Sequence, residues 1–192
     1  MQLQGGAVTG FLEIHGTRRA KKMKYPVLIE MASENGLWRG FAPDFEKIEA
    51  EAGTPELLLT ELGEVLARRL ELLHEAGETE PEPMPLECVP MPESFHDWRL
   101  ALVEPRGGAE IIYPCDLLRV MGSDALILTC NTPSLSFMGE SLEDVKRAMS
   151  EGIKAVLETR MKEGKSLSTL LPFPEPIGMR SPDVVLIPVA VL

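Results

Sequence analysis

Two stretches of the chain, 87 residues apart, end an amphipathic helix in the same way: "EVLARRLELLHEAGE" at 64–78 and "EGIKAVLETRMKEGK" at 151–165. A repeat of this kind constrains 192 residues more than any other feature, because it divides them into two equal units. Adding 87 pairs Thr54 with Ser141 and Glu56 with Glu143, and sets Leu58, Leu62, Leu66 and Leu70 against Val145, Met149, Ile153 and Leu157. Apolar residues at every fourth position share one helical face, which must be buried against a core. Thr54 and Ser141 are good N-caps, since each hydroxyl can accept from a free backbone N–H of the first turn. Pro55 suits the first helical position, while Gly77 and Gly164 supply the left-handed residue that ends a helix.

Strand-like runs precede each helix: "YPVLIEMA" (25–32), "LWRGFAP" (37–43) and "KIEAEAG" (47–53), then "YPCDLLRVM" (113–121), "ALILTCN" (125–131) and "SLSFMG" (134–139). Tyr25-Pro26 pairs with Tyr113-Pro114 at a spacing of 88, and the one-residue difference is assigned to the first hairpin. A proline-rich linker follows each helix, "EPEPMP" (80–85) or "LPFPEP" (171–176), and then a last strand, "DWRLALVE" (97–104) or "DVVLIPVAVL" (183–192). The expected fold is α+β, two tandem β-β-β-α-β domains related by a pseudo-twofold. The organisation is an N-terminal extension (1–24), copy one (25–104), a link (105–112) around Gly107-Gly108 that reads as a flexible joint, and copy two (113–192).

Composition narrows the function classes. Hydrophobic residues make up 44% of the chain and charged residues 26%, enough apolar surface for a core. No apolar run has the length of a membrane span and nothing reads as a signal peptide. Cys88, Cys115 and Cys130 are scattered, without a CxxC spacing, which fits a reduced, cytoplasmic setting. The net charge of −11 is unevenly spread. Residues 25–104 carry five basic and eighteen acidic side chains, a net of −13, whereas 105–192 carry nine and eleven, a net of −2. Residues 1–24 hold five basic side chains (Arg18, Arg19, Lys21, Lys22 and Lys24) against Glu13. A basic arm touching nucleic acid is one reading of that stretch, and a plain extension is the reading adopted. Nucleic acid is a poor ligand for so acidic a surface, and a basic protein a better one.

The residues of copy one also carry a family resemblance. Met23 to Pro26, the Ala42-Pro43-Asp44 segment after the second strand, and Gly77-Glu78 through Pro83 after the helix resemble the HicB-type antitoxin domain. Copy two follows the pattern less closely, with Asn131 in the place of Asp44. The resemblance implies a reduced ribonuclease-H-like fold, and a partner of HicA type, a small basic ribonuclease toxin neutralised by direct binding. Many such proteins add a C-terminal DNA-binding module. Here a second copy stands in its place, so no direct DNA binding is expected. The alternative is a stand-alone oligomeric scaffold or regulatory protein with this fold and no toxin.

No enzyme is expected, and no catalytic residue, metal ligand or cofactor. His15, His74 and His96 lack ligand spacing, and there is no GxSxG elbow, P-loop or GxGxxG. Glu30, Asp44 and Glu56 are the carboxylates that a metal-dependent ribonuclease-H-like hydrolase, the least favoured reading, would need to bring together. Trp38 reads as core, with Gly40 and Ala42 small enough to admit a helix over their face.

Strand alternation then separates two faces. Glu30, Arg39, Glu49 and Glu51 are expected on the helix-free face of copy one and, with Asp44, form the candidate partner-binding set. The equivalents in copy two are Leu118, Leu126, Ser136 and Met138. An apolar face of that kind marks an interface, so Leu118, Leu126 and Met138 are expected to pack against the other copy or a second chain.

Overall fold

Both repeat helices form as their caps dictate. In the computed structural model, which describes residues 23–31, 36–90, 98–172 and 183–191, helix α1 runs Pro55–Glu75 and helix α2 Leu142–Lys162, 21 residues each. The Thr54 hydroxyl accepts from the Leu57 N–H at 3.3 Å, and the Ser141 hydroxyl from the Asp144 N–H at 3.1 Å. At the other end Gly77 and Gly164 have φ of 71° and 66°. In each case the glycine N–H and the one after it reach back to two carbonyls of the last turn: Gly77 to His74 and Glu78 to Leu73, Gly164 to Met161 and Lys165 to Arg160. That is the same two-bond C-terminal cap, written twice.

The strands are β1 (Tyr25–Met31), β2 (Trp38–Phe41), β3 (Glu49–Ala52), β4 (Trp98–Val103), β5 (Ala109–Arg119), β6 (Leu126–Cys130), β7 (Leu135–Gly139) and β8 (Val184–Ala190). Each half has the same antiparallel order: β3-β2-β1-β4 in the first and β7-β6-β5-β8 in the second. The long strand β5 joins them into one sheet. One of its edges pairs with β8 over 110–116, and the other takes β4 at 109–111 and β6 at 115–119. The stretch read as a flexible link is therefore a hairpin turn and the start of a strand. Glu104 and Gly107–Gly108 close the turn by backbone bonds, and Arg106 ties it to α1 through Glu71 at 2.7 Å and the Gly63 carbonyl.

Both helices lie over the same core. Leu58, Leu62 and Leu66 of α1 share one buried cluster with Val145, Met149, Ile153 and Leu157 of α2, together with the strand residues Tyr25, Val27, Ile29, Ile111, Tyr113 and Leu128. Trp38 belongs to it, 5% exposed. Gly40 lets α1 approach: a Cβ there would meet Leu62 Cδ1, Ile29 Cγ2 and the Leu28 carbonyl at 3.0 Å each. Tyr25 and Tyr113 play one part in both halves, each donating its hydroxyl at 3.2 Å to a linker carbonyl, of Pro81 or Leu170.

The linkers then diverge. The first rounds to the helix-free face, where Met84, Leu86 and Val89 cover Leu28, Trp98, Leu100 and Ile112. The second keeps Leu167 and Leu171 in the helix-side core. Residues 173–182 lie outside the described residues, as does the N-terminal extension through residue 22 with its basic arm and His15, and as does His96.

The ladders also correct one alignment. Six residues separate β1 from β2 and six separate β5 from β6, so the first hairpins are equal in length. Across the second hairpin, Arg39 faces Glu51, 12 residues on, but Ile127 faces Met138, 11 residues on. The missing residue belongs to the second turn. Arg39, the partner of Glu30, thus corresponds to Ile127, the partner of Leu118, and not to Leu126. Because side chains alternate with a period of two, that single step moves Leu126 to the opposite face. It is 7% exposed and packs in the helix-side core.

Candidate functional site

On the helix-free face of copy one, the strands β1, β2 and β3 bring three charged side chains into one row, with Glu49 two residues along β3 on the same face. Glu30 faces Arg39, and Arg39 faces Glu51 across the next ladder. The Arg39 guanidinium donates to Glu30, whose carboxylate is 5% exposed, and lies over the Trp98 ring with 5.6 Å to its centroid. Phe41 meets the same indole edge-on at 5.1 Å between centroids. Arg39, Phe41, Trp98, Glu49 and Glu51 line a shallow groove of about 300 Å³, with the more buried Phe41 and Trp98 as its base and the exposed Glu49 and Glu51 as its rim. β3, which carries the two rim carboxylates, is the edge strand of the sheet.

Of the sequence-based candidates, Arg39, Glu49 and Glu51 meet at this groove. Glu30 is committed to Arg39 beneath it. Asp44 serves elsewhere: its Oδ1 accepts from the Met84 N–H at 3.0 Å, pinning the linker as it turns toward the helix-free face. Asp44 Oδ2 is buried with no hydrogen-bond partner among the described residues. Burial raises its pKa above the usual carboxylate value, and the Met84 N–H pulls it part of the way back. Sequence reasoning missed the aromatic base. The signal was there, since Trp98 and Leu100 alternate along their strand with Arg99 and Ala101. The partner that would have placed Trp98 beside Arg39 comes from β1, between them in the sheet.

The three carboxylates a metal-dependent hydrolase would need are spent in different places. Glu30 pairs with Arg39, Asp44 holds Met84, and Glu56 at the start of α1 accepts from the Leu167 N–H of copy two at 2.9 Å. Among the described residues no group of three His, Cys, Asp or Glu side chains is placed to hold a metal ion.

On copy two the corresponding row is apolar. Leu118, Ile127 and Met138 face one another across β5, β6 and β7, with Leu118 58% and Met138 72% exposed. Ile127 between them is half-buried, and among the described residues Leu118 and Met138 are not packed against the first copy, which leaves a second chain as the expected contact. Among the described residues no helix is long and apolar enough to cross a membrane. Protein-family models, curated protein sequences and solved structures were compared with the chain, and none matched it.

Proposed function

We propose that this chain is a protein-binding module of HicB type, two HicB-like copies about an approximate twofold, whose first copy neutralises a basic HicA-type ribonuclease toxin by direct contact. One observation carries the reading: a groove with an aromatic base and a carboxylate rim on an exposed sheet edge. A lysine or arginine side chain fits that chemistry, its charge between Glu49 and Glu51 and its stem on Phe41 and Trp98. The net −13 of residues 25–104 adds long-range attraction for a cationic partner and repels acidic ones. The test looks for a neighbouring reading frame that encodes a small basic ribonuclease and titrates the full chain into that product, following RNA cleavage and association at several salt concentrations. Inhibition is expected, with an on-rate that falls as salt rises. For the Glu49→Gln, Glu51→Gln variant the on-rate at low salt should drop on the order of tenfold. Absence of inhibition sinks the toxin reading, and an on-rate equal in both proteins removes the groove from it.

A second reading, an oligomeric scaffold, is favoured by the exposed Leu118 and Met138 on either side of the half-buried Ile127, which offer a second chain an apolar surface. Sedimentation of the native chain and of Leu118→Lys separates the two. Self-association lost in the variant supports the scaffold, and a monomer at all concentrations removes it.

A further inference from the structure

Two of the three cysteines scattered along the sequence meet in the fold. Cys115 on β5 and Cys130 on β6 are Cα partners, both 1% exposed and both in the core under α2. Their kind of pairing follows from the backbone. The Val120 N–H donates to the Ala125 carbonyl across the β5–β6 turn, while the Leu117 N–H donates to Asp183 on the β8 side. Backbone groups alternate along a strand, so residues 116, 118 and 120 turn theirs to β6, and 115 and 117 turn theirs to β8. Cys115 and Cys130 therefore form a non-hydrogen-bonded pair, the closely spaced kind, with Cα atoms about 4.5 Å apart. A disulfide spans Cα separations of about 4.4–6.8 Å, and the two side chains already share a face.

We infer that Cys115 and Cys130 are a peroxide-oxidisable dithiol, forming a reversible cross-strand disulfide that clamps the β5–β6 hairpin. The chemistry balances with hydrogen peroxide as the named oxidant. The Cys130 sulfur attacks one peroxide oxygen, the O–O bond breaks, and hydroxide leaves with Cys130 as the sulfenic acid. The Cys115 sulfur then attacks Cys130, forming the S–S bond, and water leaves, so two thiols lose two protons and two electrons while one peroxide becomes two waters. The order of events follows from the surroundings. The Cys115 thiol donates to the Tyr113 carbonyl at 3.7 Å, and the Cys130 thiol to the Thr132 carbonyl at 3.2 Å. The neighbouring Cys130 sulfur, together with burial, makes Cys115 the weaker acid, and the same closeness lowers the pKa of Cys130, which is the nucleophile. Cys88, exposed on the linker, lies on no shared ladder with either.

The experiment uses the full chain and its Cys88→Ser variant, treated with hydrogen peroxide, then denatured, alkylated and weighed. The expected product has lost two hydrogens, takes no label at Cys115 or Cys130, and yields one peptide pair joining β5 to β6. Dithiothreitol restores both labels, and the oxidised chain melts several degrees higher than the reduced one, since the clamp restricts the unfolded state. In Cys115→Ser, dimedone should trap the sulfenic acid at Cys130. The proposal is overturned if both thiols stay fully alkylatable after peroxide treatment, if Cys130 goes on to sulfinic acid without a crosslink, or if the bond found joins Cys88. The first measurement needs no change at the buried positions, so a variant that fails to fold leaves the answer intact.

Discussion

Asp44 holds the linker with one oxygen and buries the other without a partner among the described residues. Its carboxyl has a higher pKa in the folded chain than in the unfolded one, so the folded state favours the protonated form. That stabilisation is complete below the ordinary value of 3.8 and is lost as pH rises through the raised one. At neutral pH the ionised group is a cost to the fold. Asp44→Asn keeps an acceptor for Met84 and removes the charge. The variant should melt about 2 °C higher than the native chain at pH 7 and gain nothing at pH 3. Melting curves at the two pH values decide it, and a loss at pH 7 would mean that the linker needs the carboxylate itself. The sequence marked Asp44 through its place after β2, but as a partner contact. What it does locally depends on Met84, 40 residues away, and no local pattern encodes that distance.

At the scale of elements, the two copies solve one packing problem differently. Helix and sheet must approach within van der Waals contact, and each copy has one small residue on one side and a larger one opposite. Positions 50 and 65 hold Ala and Val in copy one; the positions 87 further on hold Phe137 and Gly152. A Cβ added at Gly152 would sit 2.7 Å from Phe137 Cζ, so the ring occupies the space that a side chain on α2 would need. Gly152→Val should destabilise the chain by about 1–3 kcal/mol through overpacking. Adding Phe137→Ala recreates the pair found in copy one and should recover much of the loss, so the two changes should be strongly non-additive. Denaturant unfolding of the two single variants and the double one measures this; additive losses would show that the exchange is not a shared volume. Helix caps, faces and strand identities were legible because they are set within a few residues. The phase between copies was not. It turns on one residue missing between β6 and β7, and an error of one in a period of two carried Leu126 from the core to the surface and hid Ile127. The same ladder hid the Cys115–Cys130 pair, which folding the chain back about residues 120–125 would have brought into view.

For the whole molecule, the repeat predicts two units while the connections argue that they unfold as one. The strand β5 belongs to both ladders, pairing with β4 at 109–111 and with β6 and β8 beyond. Beneath the helices runs one cluster of buried side chains from both halves. A polar contact crosses the same boundary, Glu56 accepting from the Leu167 N–H at 2.9 Å, and Lys24, just before β1, reaches the shared strand β5 through Glu110 at 2.6 Å. The charge distribution opposes this, because the −13 concentrated in residues 25–104 repels itself and weakens that half alone. The repulsion is spread over exposed carboxylates and screened by salt within about 10 Å at 0.1 M, whereas the shared core is neither exposed nor screened. Burial should therefore dominate. Melting one half would expose the apolar flank of the other, so a half-unfolded state carries the cost of both. Scanning calorimetry of the full chain should give one transition, with a van't Hoff enthalpy equal to the calorimetric one. Added salt should raise its midpoint without splitting it. Two resolved transitions, of which salt moves the first alone, would show instead that each copy folds independently and that β5 is a seam between them.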